Sequence, residues 1–286
     1  MADTKKDLLD PAIIGTTSKL LSSNWELYTD LSANWCRGIL KSIKSALTVK
    51  RVVIPSSFDY ILDGPKGARI PHKTHSEADW NPITEEEALK NPINGYRGIH
   101  PLFWELWWEL IEVASKTFAE KAAWEVEKNE KPNFTIATIC PPLVLGPIVH
   151  YLDSLDSLNT SNQRVRNLIT GQCKEEIPDT GTYIRVDVRD LALAHVKAME
   201  LPDAADKRFF VTAGYFSNKE ICEIIRKHFP EYKDELPKPE IKCGDYPEGG
   251  VYKYDNSRVM KVLGLKFRTL EESIVDTVKS LQAVGA

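Results

Sequence analysis

The chain has 286 residues, 42% hydrophobic and 27% charged, with 37 basic against 41 acidic side chains and a net charge of −4. That length holds one large domain or two modest ones. The slight acidity excludes a nucleic-acid binder working through bulk positive charge, and no apolar run reaches the ~18 residues of a membrane span. The opening stretch, Met1 to Leu9, has no apolar signal core. Five cysteines (Cys36, Cys140, Cys173, Cys222 and Cys243) are scattered without a CxxC, so neither a disulfide framework nor a zinc site is expected. A reduced, cytoplasmic setting is the expectation.

In chain order, the first strand signal is Arg51–Ser57, a β-branched run closing on two serines. Three more follow at Phe134–Cys140, Tyr183–Val188 and Arg208–Ala213. The first two are largely apolar, as in strands covered on both faces. Helical stretches alternate with them: Ser115 to about Lys128, Asp190–Glu200, Lys219–Phe229 and Leu270–Leu281, the last with Ile274, Val275, Val278 and Leu281 at helical spacing. This alternation predicts an α/β fold with a mainly parallel sheet. Turn residues crowd 63–94 and 230–256, which read as loops and a smaller lobe.

Two segments stand apart. Thr17–Arg37 interrupts what reads as one helix, Asp7–Ile14 running into Gly38–Ala46. Gly98–Val113 is strongly aromatic. Together they hold Trp25, Trp35, Trp104, Trp107 and Trp108, five of the seven tryptophans. Glu105, Glu109 and Glu112 share one helix face in the second segment, opposite tryptophans. A membrane-surface helix usually carries Lys and Arg on that polar face, so an inserted segment is the preferred reading.

Ser56 and Ser57 close a predicted parallel strand, where α/β folds place their ligands. A hydroxyl there can hydrogen-bond a substrate carbonyl or simply cap the turn. Joining Arg97 to Ala114 would create Tyr96-Arg-Ala-Ser-Lys116, a YxxxK. Residues at i and i+4 share a helix face. An ammonium beside a phenol favours phenolate and lowers its pKa, preparing a proton donor for a carbonyl oxygen. As written, the two residues are 20 apart, or ~30 Å along a continuous helix, so the pair requires 98–113 to loop out. A contiguous YxxxK, Tyr215 to Lys219, overlaps a capping box, Ser217 to Glu220, and reads as structural. Cys140–Pro147 runs a strand into Pro and Gly. Its backbone groups can hold a flat amide ring or form an ordinary exit loop. Asp187 and Arg189 read as a pair, Asp190 as a helix cap, and His195 as a residue that packs or hydrogen-bonds rather than a ligand. His72 and His75 lack a third ligand nearby, so no metal is expected. No GxGxxG, GxxGxxG, GxSxG or Walker loop occurs; Gly64 and Gly67 sit in a Pro/Lys-rich loop.

With the two segments set aside, the sequence resembles the extended short-chain dehydrogenase/reductases. The most similar group is the fungal dihydroflavonol-4-reductase-like NADPH-dependent aldehyde and ketone reductases, within the NAD-dependent epimerase/dehydratase superfamily. Leu8–Ile13, Arg51–Ser57, Trp80–Pro82, Asn91–Tyr96, Ser115–Trp124, Pro141–Pro147, Val186–Asp190 with Ala194–His195, and Asn256–Leu281 carry the likeness, in order. The resemblance implies a partial Rossmann-type, doubly wound parallel sheet with a smaller C-terminal substrate lobe. It divides the chain into residues 1–147, an incomplete dinucleotide-binding domain, and 148–286, the remaining strands interleaved with the lobe.

It further implies an oxidoreductase that reduces a small-molecule aldehyde or ketone with NADPH, touching neither membrane nor nucleic acid. In that set Ser57 holds the carbonyl, Tyr96 donates the proton, and Lys116 lowers the tyrosine pKa and binds the nicotinamide ribose. The backbone of Pro141 and Val144 faces the nicotinamide amide. Substrate and oligomeric state are left open. The glycine-rich first βαβ unit has no counterpart in the sequence, and Cys140 replaces a usual Asn. These departures predict a reading frame begun late with two translated introns, and impaired activity. The alternatives are a cofactor-free pseudoenzyme and an epimerase or dehydratase.

Overall fold

The structure, a computed structural model, describes residues 25–62, 71, 73–82, 84, 102–149, 151–241 and 243–285. The chain divides into two compact units, one of residues 1–50 and 81–134, the other of 51–80 and 135–286.

In the first unit, helix α1 (Trp25–Lys44) packs on helix α2 (Leu102–Glu130). The two run parallel, because Arg37 pairs with Glu125 at 2.9 Å and Lys44 with Glu130 at 3.2 Å. Ala33 and Leu40 on α1, and Ala122, Ala123 and Val126 on α2, are buried. The two segments that stand apart in the sequence are helical where described. The described part of Gly98–Val113 does not loop out: residues 102–113 are the opening turns of α2. The run from Leu102 to Glu130 holds no Gly or Pro, so no residue in it breaks the backbone ladder. Likewise residues 25–37 do not break a helix but continue straight into Gly38–Lys44. A Cβ at Gly38 would meet nothing within 4 Å, and an interior glycine is tolerated at modest cost.

In the second unit, strands β1 (Arg51–Pro55), β3 (Thr135–Cys140) and β6 (Lys207–Phe210) form a parallel sheet in the order β1-β3-β6. Val53 aligns with Ala137, and Cys140 with Phe210. Short strands β2 (Thr74–His75) and β8 (Lys253–Tyr254) pair with each other. Strands β4 (Leu143–Leu145), β5 (Ile184–Asp187) and β7 (Gly214–Tyr215) make a third sheet, parallel between β4 and β5.

The strand period of two sorts the core. Ala137, Ile139, Phe209 and Val211 pack with Ala194 and Ala198 of helix α4 (Val188–Glu200) and with Val259 and Leu263. Cys140 and Phe210 turn the other way, onto Phe58, Ile61, Ile184 and Tyr252. A further cluster joins helices α3 (Thr160–Ile169), α5 (Asn218–His228) and α6 (Leu270–Ala283) through Val165, Leu168, Ile221, Ile225, Ile274 and Val278.

The predicted capping box forms: the Ser217 hydroxyl accepts the Glu220 N–H at 3.1 Å, and Glu220 accepts the Ser217 N–H at 2.7 Å. Ser217→Ala should cost about 1 kcal/mol; an unchanged urea midpoint would show the cap to be idle. Asp190 is not the cap of α4. Asp187 is, accepting the Arg189 N–H at 2.9 Å, while Asp190 binds Arg268. The helix starts earlier because Asp187 ends β5 in extended geometry, fully buried, with its carboxylate over the first helical N–H groups.

Candidate active site

Parallel strands β1 and β3 finish side by side. Ser56 donates its N–H to Ile139 O at 2.7 Å, and Phe58 donates to Pro141 O at 2.8 Å. Ser57 lies between those two bonds, at the carboxyl end of the sheet. The chain then enters a single 3₁₀ turn, Phe58–Tyr60, with Phe58 and Tyr60 buried. Phe58 fixes that turn: it stacks on Phe210 at 5.0 Å and lies 5.5 Å from Tyr252. His75, also fully buried, meets the edge of Phe58 at 5.7 Å.

The Ser57 hydroxyl does capping work. It accepts the Asp59 N–H at 3.2 Å and donates to Asp59 Oδ2 at 2.9 Å. A carbonyl substrate at Ser57 therefore competes with the Asp59 carboxylate for one proton. The sequence reading missed Asp59, although a carboxylate two residues after a strand-ending serine is itself a turn signal. His75 and Tyr252 were missed because nothing local marks them; only the fold brings them to Phe58.

Ser57 and Pro141 are brought together. The Pro141 carbonyl already accepts from Phe58, and Val144 pairs with Val186 in β5. Both residues are half-buried. Past them, Gly146 has φ +127°, and a Cβ there would come within 2.9 Å of Val188 and 3.3 Å of the Asp187 carboxylate. Only glycine suits that turn. Cys140, fully buried among aromatic rings, presents little polar chemistry. Lys116 lies on α2, half-buried. Tyr96 lies outside the described residues, as do Gly64, Gly67 and His72.

The contiguous Tyr215–Lys219 motif is engaged elsewhere. Tyr215 donates its hydroxyl to Tyr252 O at 3.1 Å, and Lys219 pairs with Asp245 at 3.1 Å. His195 bonds the Leu191 carbonyl at 2.8 Å, a purely helical contact. Among the described residues no cluster of His, Cys, Asp and Glu is arranged to hold a metal ion, and no helix is long and apolar enough to cross a membrane.

The chain matches no family model. Its relatives are nonetheless clear. It is 40% identical over 281 residues to the ketoreductase azaE of Aspergillus niger, covering 98% of this chain and 70% of that protein. It is 32% identical over 286 residues to the NADPH-dependent methylglyoxal reductase GRE2 of Saccharomyces cerevisiae, covering 98% of this chain and 72% of that one. Its structure resembles that of the yeast methylglyoxal/isovaleraldehyde reductase Gre2 complexed with NADPH, with a TM-score of 0.73 and 31% identity, over 89% of this chain and 70% of that one. Gre2 from Candida albicans gives a TM-score of 0.71 at 27% identity, over 89% and 71%. Parallel strands ending at Ser57 and Pro141, together with relatives at this identity, place the chain among the fungal NADPH-dependent aldehyde and ketone reductases of the extended short-chain dehydrogenase/reductase family.

Proposed function

We propose that this chain carries the carbonyl-reducing chemistry of its family, with Ser57, Tyr96 and Lys116 as its acting side chains, and that the sequence as it stands performs it poorly. The observation that carries the reading is the position of Ser57 beside Pro141, at the carboxyl ends of two paired parallel strands. In open α/β sheets ligands bind there.

The residues fit NADPH in part. The hydroxyl of Ser57 and the backbone at Pro141–Val144 suit the nicotinamide end. The pyrophosphate end needs backbone N–H groups at a glycine-rich helix start, and the sequence has no such motif. NADPH, when bound, supplies a hydride to the carbonyl carbon. The rest falls to side chains. Ser57 releases Asp59 and donates its hydroxyl proton to the carbonyl oxygen, holding the substrate. Tyr96 transfers its phenolic proton to that oxygen as charge builds on it. Lys116 favours the phenolate left behind and so lowers the cost of that transfer.

Length limits the Tyr96–Lys116 pair. The helix from Leu102 to Lys116 rises about 21 Å, and six residues from Tyr96 to Leu102 span at most about 21 Å when fully extended. The two backbones come level only if that stretch runs back along the helix, and otherwise the long side chains must bridge the gap. This geometry supports weak turnover.

The experiment is product analysis with NADPH and a panel of aldehydes and ketones. The expected product is the alcohol, formed at a trace rate and lost in Ser57→Ala. An epimerised or dehydrated product would overturn the reductase reading. Fast turnover abolished by Tyr96→Phe would overturn the impairment. The second reading, a non-catalytic binding protein, is favoured by the unbroken helix through residues 102–113. A folded chain that neither binds NADPH nor forms alcohol would select it.

A further inference from the structure

Between α3 and the start of α5 lies an open cavity of about 400 Å³, separate from the Ser57 site. That volume is within the range of small-molecule sites. Leu158, Leu168, Pro178 and Cys173 give it an apolar wall, and Arg164 and Asp179 bring charge to it.

The start of α5 offers a ligand nothing. Asn218 donates its N–H to Thr180 Oγ1 at 3.0 Å, Lys219 to Gly244 O at 3.1 Å, and Glu220 to Ser217 Oγ at 3.1 Å. The guanidinium of Arg164 is different. Its Nη1 donates to Thr180 O at 3.1 Å and to Asn218 Oδ1 at 2.8 Å. Both acceptors are neutral, and they fix the group in place. Its Nε and Nη2 have no hydrogen-bond partner among the described residues. Those two N–H groups form the edge that grips a carboxylate through two parallel bonds. Asp179 is the carboxylate whose charge acts on it. Its Oδ1 is taken by the Tyr183 hydroxyl at 3.2 Å and the Gly181 N–H at 3.4 Å. Burial pulls the Arg164 pKa down, and Asp179 opposes that pull.

We infer that this cavity binds a small organic carboxylate with an apolar body, its charge on the open edge of Arg164 and its hydrocarbon against Leu158, Leu168 and Pro178. The site is anchored by a pre-positioned guanidinium, which limits the ordering cost of binding. It stands independently of whether the chain turns over a carbonyl.

Calorimetric titration of the full chain with sodium benzoate, and with benzamide as its uncharged counterpart, tests this. The expected result is saturable benzoate binding, with benzamide about tenfold weaker or worse, as loss of a charge-assisted bidentate contact implies. Arg164→Gln should weaken benzoate by a similar factor. Asp179→Asn, which keeps an acceptor for Tyr183 and Gly181 but removes the opposing charge, should tighten it. Should Arg164→Gln fail to fold, the benzoate–benzamide ratio and the Asp179→Asn shift decide. Absence of saturable binding by the folded chain, equal affinity for acid and amide, or weaker binding in Asp179→Asn would each overturn the inference.

Discussion

Excising residues 98–113, so that Arg97 joins Ala114, should raise NADPH-dependent carbonyl reduction by about 10²–10⁴-fold over the intact chain, the range general-acid catalysis supplies. The deletion places Tyr96 four residues before the lysine now at position 116, on one face of a helix that is already formed from there to Glu130. In the intact chain the same two residues are 20 apart, and α2 occupies most of the interval. Tyr96→Phe should erase the gain in the shortened chain. Rates are to be compared at high NADPH, so that weak cofactor binding affects both forms alike. No gain on excision would mean that the interposed segment is not what limits the chemistry.

Arg189→Met should destabilise the chain by about 3–5 kcal/mol near neutral pH, the range for stranding one member of a buried ion pair. Asp187 is fully buried, and its carboxylate accepts from Arg189 Nη2 at 2.8 Å, from Arg189 Nε at 2.9 Å and from the Ser273 hydroxyl at 2.7 Å. Arg189 also reaches Asp276 at 2.6 Å, tying β5 and α4 to α6. Burial alone would raise the Asp187 pKa, but the hydrogen bonds from Arg189 and Ser273 outweigh it and hold the pKa below its ordinary 3.8. A depressed folded-state pKa stabilises the fold above the unfolded value and loses that contribution as pH falls through the folded value. The gap between wild type and variant should therefore be widest above about pH 4 and close below it. Urea unfolding across that range measures it. A gap that stays constant with pH would assign the loss to packing instead.

The four longer strands were legible as short runs with clear ends, and the two- and three-residue strands β2, β4, β7 and β8 were not. Arg51–Pro55, Thr135–Cys140, Ile184–Asp187 and Lys207–Phe210 fall within a residue of the predicted starts; β3, buried over nearly its whole length, reads as a largely apolar run. The Ser217 box and the idle Tyr215–Lys219 motif were legible for a similar reason: cap chemistry is local. The sequence break at residues 98–113 is one of family pattern, not of backbone preference, and the helix face read from Glu105, Glu109 and Glu112 lies within α2. Leucine, glutamate and tryptophan extend a helix readily enough, and residues 102–113, which hold no Gly or Pro, form one helix with the residues after them.

By itself the sequence determined the α/β alternation, the fungal reductase kinship and the three side chains to examine. Each rests on residue type and order, which need no third dimension. Tertiary structure alone decided that Phe58 is held by His75, Phe210 and Tyr252. It also decided that Asp187 rather than Asp190 caps α4, and that Arg164 keeps an open edge in a cavity. These depend on residues tens to nearly two hundred positions apart, or on which of two nearby carboxylates is buried. Burial and hydrogen-bond geometry are set by how strands and helices pack, and no local pattern encodes them.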